Sequence, residues 1–97
     1  MQDVARISII SKMEILGWTP PTKEEATQIQ ELVDHAIVYN LTEEIVSHTI
    51  KIRKKKRVKL PDAIIAATAL ANNLVLLTRN TSDFEDIPYL TCINPML

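Results

Sequence analysis

Two carboxylates stand where chemistry, rather than stability, gives them a purpose. Asp62 follows Pro61 and opens residues 63–71, a run that is apolar apart from Thr68 and holds five Ala. Proline suits the first turn of a helix, where its missing N–H costs nothing, and the macrodipole favours an ionised carboxylate there. A helix apolar on nearly every face is a buried one, so a charge at its mouth is an odd choice for stability alone. Asp83 closes the polar turn 79–83, which follows the apolar run 74–78. Read as a parallel strand, that run delivers the turn to its carboxyl end, the edge where open α/β sheets form their sites. Both acids also have a plain structural reading. Asp62 answers the helix dipole, and Asp83 falls in a first helical turn behind Asn80 as N-cap.

The cations are concentrated in a third stretch. Lys51, Arg53, Lys54, Lys55, Lys56, Arg57 and Lys59 place seven of the eleven basic residues in nine positions, leaving four basic against twelve acidic residues elsewhere. Such a cluster can contact RNA phosphates. It equally suits a solvated helix end, where cations meet the C-terminal dipole. The acidic remainder argues against a broad nucleic-acid surface.

Other reactive side chains are isolated. Cys92 is the single cysteine and sits in an apolar run, which makes it a small core residue before a nucleophile. It has no intrachain partner, and a reducing, cytoplasmic setting is the simplest reading. His35 and His48 fall on different elements with no zinc-ligand spacing. Trp18 and Tyr89 are too far apart to build a stacking platform for single-stranded RNA.

Ninety-seven residues at net charge −1, with 46% hydrophobic and 24% charged, fit one globular domain, 1–97. Its apolar runs fall well short of the ~20 residues that cross a bilayer, and no membrane role is expected. Asp3 and Arg6 interrupt any apolar opening of signal-peptide type.

The elements that must position these groups read as follows. Ile7, Ile9 and Ile10 make a β-branched strand. Ser11 caps a short helix that Gly17 ends, and Thr19-Pro20-Pro21 is a rigid connector. Thr22 caps a second helix, with Glu25 completing a capping box and Ala26, Ile29, Leu32 and Val33 forming the apolar face. Residues 36–39 are β-like. Thr42 caps a third helix buried along Ile45, Val46, Thr49, Ile50 and Ile52. After the basic stretch comes the Ala-rich helix, stopped by Asn72 and Asn73, then the strand 74–78. A turn at 86–88 leads to a last strand, 89–93. Alternation of this kind predicts a three-layer α/β/α fold with a parallel sheet.

The runs LPDAIIAATA (60–69), LLTRN with the following Asp83-Phe84, and the terminal TCINP, together with ISIISKMEIL (7–16), resemble PIN-domain proteins of the VapC-type toxin ribonucleases. The resemblance extends from about residue 5 to Pro95 and is specific as an ordered set. It implies Mg²⁺- or Mn²⁺-dependent hydrolysis of RNA phosphodiesters, an antitoxin partner, a homodimer or higher oligomer, and a cytoplasmic toxin–antitoxin system. Hard divalent cations take oxygen ligands, so family carboxylates converge at strand ends and helix N-termini.

On that resemblance Glu14, Asp62 and Asp83 are the expected metal-holding and catalytic acids. Thr78 and Asn80 would support them, and Arg79, Lys54, Lys55 and Lys56 would meet RNA phosphates. Ser11-x-x-Glu14 is also a capping box, which gives Glu14 a purely structural alternative. The family's first strand and helix, with the strand's metal-binding Asp, have no counterpart, and Asp3 does not match that motif. The expectation is that the flanking strands pair directly or that the chain oligomerises, accepting a strand from a neighbour. The competing functional reading is an inactive PIN-like domain that retains only a binding or oligomerising role.

Overall fold

The computed structural model describes residues 4–95. Two compact units make up the chain, one ending at Asn40 and the other beginning at Leu41.

The first unit is a β-α-α-β crossover: β1 (Arg6–Ser8), α1 (Ile9–Gly17), α2 (Lys23–His35) and β2 (Ile37–Tyr39). The strands are parallel, with Arg6 opposite Ile37 and Ser8 opposite Tyr39. Ser8 ends the strand and caps the helix at once. Its buried Oγ accepts from the Ser11 N–H at 3.0 Å, satisfying one of the orphan donors of the first turn. The helix therefore starts earlier than the sequence suggests, and Ser11 is not its cap. The Ser11–Glu14 capping box does not form, because Ser11 is already the third helical residue. Thr22 caps α2 as expected, accepting from the Glu25 N–H at 3.1 Å. Of the anticipated apolar face of α2 only Val33 is buried; Leu32 is 58% exposed.

The second unit holds α3 (Glu43–Lys55), α4 (Leu60–Ala71), β3 (Leu76–Leu77), a single 3₁₀ turn (Thr81–Asp83) and β4 (Cys92–Ile93). Thr42 caps α3 by accepting from the Ile45 N–H at 3.2 Å. Glu43 and Glu44 occupy the first turn and Arg53, Lys54 and Lys55 the last, both of which complement the dipole. The buried stripe is Ile45, Thr49 and Ile52, spaced four and three residues apart as one helical face requires. Ile50, anticipated on that face, is 50% exposed, since one residue beyond Thr49 the helix has turned by about 100°.

Helix α3 packs on α4. Ala63, Ala66 and Ala67 are fully buried there, and their small side chains let the backbones approach. The buried hydroxyls of Thr49 and Thr68 donate to the carbonyls of Ile45 and Ile64 at 2.8 and 2.7 Å, so neither is left unsatisfied. Asn73 ends α4 in the left-handed region at φ 54°. Leu74 N–H then reaches Ala69 O at 2.8 Å and Asn73 N–H reaches Leu70 O at 3.4 Å, the double closure of a Schellman cap.

Strands β3 and β4 are parallel, tied by Leu76 N–H to Thr91 O at 2.9 Å and Thr78 N–H to Ile93 O at 3.1 Å. Both are shorter than the runs 74–78 and 89–93. Leu77 is 62% exposed, so β3 is not the buried strand its apolarity suggests.

Among the described residues β1 pairs with β2 and β3 with β4, giving two two-stranded parallel sheets. The α/β class and the parallel pairing are as expected.

Candidate functional site

The second unit brings Asp62 and Asp83 together. They open onto one cavity of about 390 Å³ whose wall is completed by Lys56, Arg57, Val58, Lys59 and Ser82. Each acid reaches it for a local reason. Lys59 is the N-cap of α4, with Leu60 and Pro61 leading the helix and Asp62 in its first turn. The Ala63 N–H bonds Lys59 O at 2.9 Å, which aims the helix start, and the half-buried Asp62 with it, at the cavity. The helix begins at Leu60, one residue before the start that Pro61 suggested.

Asp83 arrives from the other side. Thr78 Oγ1 accepts from the Asn80 N–H at 3.1 Å, turning the chain as it leaves β3. Asp83 N–H then donates to Asn80 O at 3.0 Å, and Phe84 and Glu85 N–H to Thr81 O at 3.0 and 2.9 Å. Phe84 is buried beneath the turn and anchors it. Thr78 and Asn80 thus support the turn, Asn80 through its backbone and without a side-chain cap bond.

The electrostatics are mixed by design of the sequence: two carboxylates face Lys56, Arg57 and Lys59. Lys56 is held in place by donating from Nζ to Glu85 O. Carboxylates are oxygen ligands for a hard divalent cation, and Mg²⁺ is commonly held by one or two of them with waters completing the shell. The pair Asp62 and Asp83 fits that donor set. The surrounding cations suit a phosphate. Among the described residues no group of three or more His, Cys, Asp or Glu is placed to hold a metal ion.

The remaining predicted residues do not line this cavity. Glu14 is exposed on α1, in the first unit. Lys54 and Lys55 line a shallow basic hollow of about 310 Å³ with Arg53, Lys56, Arg57 and Val58. Only Lys56 of the three also lines the Asp62–Asp83 cavity. Arg79 is exposed at the turn after β3. Sequence reasoning missed Arg57, Lys59 and Ser82 as cavity residues. Their signal was position: Arg57 and Lys59 directly precede the Pro-Asp helix start, and Ser82 directly precedes Asp83.

With two acids and three cations placed at the mouth of a buried helix, the chain can be compared with known proteins. A family model described as PIN domain matches residues 2–89. The chain belongs to the PIN domain family. Solved structures agree. A toxin–antitoxin complex from Klebsiella pneumoniae superposes with a TM-score of 0.78 at 31% identity, covering 98% of this PIN domain and 77% of that chain. VapBC-1 from nontypeable Haemophilus influenzae gives 0.75 at 26% identity, covering 97% and 76%. DNA-bound VapBC from Salmonella typhimurium gives 0.74 at 27%, covering 91% and 73%. Among curated proteins no sequence matches it. The fold is that of a VapC-type PIN domain.

Proposed function

We propose that this PIN domain is the nuclease toxin of a VapBC-type toxin–antitoxin pair, hydrolysing RNA phosphodiesters with Mg²⁺ or Mn²⁺ in the cytoplasm. The observation that carries this reading is the convergence of Asp62 and Asp83 on one cation-flanked cavity. The family match and the VapBC complexes supply the class of reaction.

In this reading Asp62 and Asp83 hold the metal, and Glu14 is the third acid. A bound Mg²⁺ or Mn²⁺ supplies Lewis-acid charge beside the scissile phosphate and makes water a better nucleophile. The chain's own residues do the rest. Lys56, Arg57 and Lys59 neutralise and orient the phosphodiester. Thr78 and the Asn80 backbone hold the turn so that Asp83 stays aimed at Asp62. Arg79, Lys54 and Lys55 meet phosphates further along the strand, adding the salt-dependent, sequence-independent part of binding. An antitoxin protein and a second copy of the chain are the proposed partners.

A second reading has its own observation. Lys56, Arg57 and Lys59 outnumber the two acids that share their cavity, which suits a PIN domain that binds phosphate without cutting. Metal binding separates the two. A ligand that binds only the folded state raises its stability by mass action. Millimolar Mn²⁺ is expected to raise the melting temperature of the wild type and to leave Asp62→Asn and Asp83→Asn unmoved. An unmoved wild type would sink the nuclease.

A further inference from the structure

A second concavity in the same unit is larger than the acidic one. It lies between the C-terminal half of α3, the end of α4 and the turn before β4, and encloses about 590 Å³, a size typical of ligand pockets. Ile52 and Ile87, 7% and 6% exposed, form its floor with Leu70. Lys51 and Lys55 stand on its rim, one helical turn apart on α3 and therefore on one face. Tyr89 stands opposite and is 100% exposed.

The turn that carries Tyr89 is strained. Asp86 and Tyr89 sit at φ 72° and 69°, in the left-handed region that residues other than Gly rarely enter. Such strain persists where surrounding structure holds it, and it gathers at ligand clamps. Here Ile87, buried, pins the middle of the turn, and Leu90 N–H bonds Ile87 O at 3.3 Å. The result is an aromatic ring held in water at the lip of an apolar floor. Tyr is a residue that binding surfaces use for this purpose, since it supplies rigid contact area at low entropic cost.

We propose that this hollow is a docking site for an acidic peptide segment of a protein partner, one that carries a bulky apolar anchor. The anchor fills the floor of Ile52, Leu70 and Ile87 and is covered by Tyr89. Its flanking carboxylates meet Lys51 and Lys55. Charge complementarity selects this occupant. A basic segment is repelled by the two lysines, and an RNA strand leaves the apolar floor unfilled. Asp86 faces the same hollow and sets the register by excluding a peptide carboxylate from that side. The proposal does not rest on the nuclease reading, because neither Asp62 nor Asp83 lines this hollow.

The test uses the full chain, isotopically labelled, and a synthetic amphipathic peptide of Glu and Leu. The probe is titrated alongside its Gln-for-Glu counterpart and an oligouridylate. The acidic peptide is expected to shift the amides of Ile52, Leu70 and Ile87 and to bind more tightly than the Gln version. Lys51→Glu with Lys55→Glu is expected to weaken it about tenfold or more, as removal of complementary charge does. Tyr89→Ala weakens it with the melting temperature unchanged, because the ring is fully exposed. No binding at millimolar peptide would overturn the proposal. So would equal affinity for the Gln peptide, indifference to the charge reversal, or oligouridylate shifting the same amides.

Discussion

Asp62 and Asp83 share one cavity although one belongs to the first turn of α4 and the other to the turn that leaves β3. The Ala-rich body of α4 packs on α3, the buried Phe84 holds the turn, and these anchors bring the two acids to one cavity. Two carboxylates on one cavity offer the oxygen donors that a hard divalent cation takes. The arrangement suits the metal-holding role proposed for the pair.

The cations around that pair have a separable role. Arg57→Gln with Lys59→Gln is expected to weaken RNA binding across sequences and to flatten its salt dependence, with the slope of log affinity against log salt falling by about one to two. The measurement is a binding isotherm at several salt concentrations with Asp62→Asn in the background to prevent cleavage. An unchanged slope would place the RNA backbone elsewhere.

Glu14 is not the cap of its own helix, since Ser8 fills that role. Glu14→Gln is therefore expected to leave thermal stability within about 0.5 kcal/mol, the ordinary range for a surface substitution, while lowering metal-dependent cleavage. Loss of both together would mean that Glu14 is structural.

The sequence disclosed more of the second unit than of the first. The Thr42 and Thr22 caps, the Pro-Asp opening of α4 and the Asn73 stop follow from local rules about orphan backbone groups and left-handed residues, and each was legible. The α/β class followed from alternation, and PIN membership from an ordered set of runs. Less legible were features set by what packs on what. Ser8 rather than Ser11 caps α1 because the strand ends there. Leu77 and Leu32 face solvent although their neighbours are apolar, since periodicity marks a face without saying what covers it. The short extents of β3 and β4, two residues each, are likewise less than the apolar runs 74–78 and 89–93 suggest. Asp62 and Asp83 could be named from the sequence, but Lys59 and Ser82 gain meaning only from the cavity.

The caps give a quantitative check. Thr42→Ala removes the acceptor for the Ile45 N–H at the head of α3 and is expected to cost about 1 kcal/mol in urea unfolding. Ala67→Leu adds three carbons where α4 is fully buried and is expected to cost about 1–3 kcal/mol by overpacking. A neutral result for Ala67→Leu would mean that α3 and α4 do not meet as closely as their alanines suggest.

Cys92 offers a pH test. Burial pushes its thiol above the ordinary value of 9.0, with Lys56 pulling the other way and only partly offsetting it. A raised pKa means that the folded state prefers the neutral thiol. That preference is fully present below the unfolded pKa and is lost as pH rises through the folded one. At pH 8.5 alkylation of the native chain is therefore expected to be slower than in urea, with the gap narrowing as the pH climbs. Equal rates in both states would show the thiol to be exposed.

The most direct measurement is cleavage of a structured RNA by the purified chain in Mn²⁺, with Asp62→Asn and Asp83→Asn preparations and an EDTA control alongside. The account predicts cleavage by the wild type that disappears in EDTA and falls by about 10²-fold or more in each variant, the scale expected when a group that stabilises transition-state charge is removed. Equal signals from wild type and variants, or none from any of them, would contradict it.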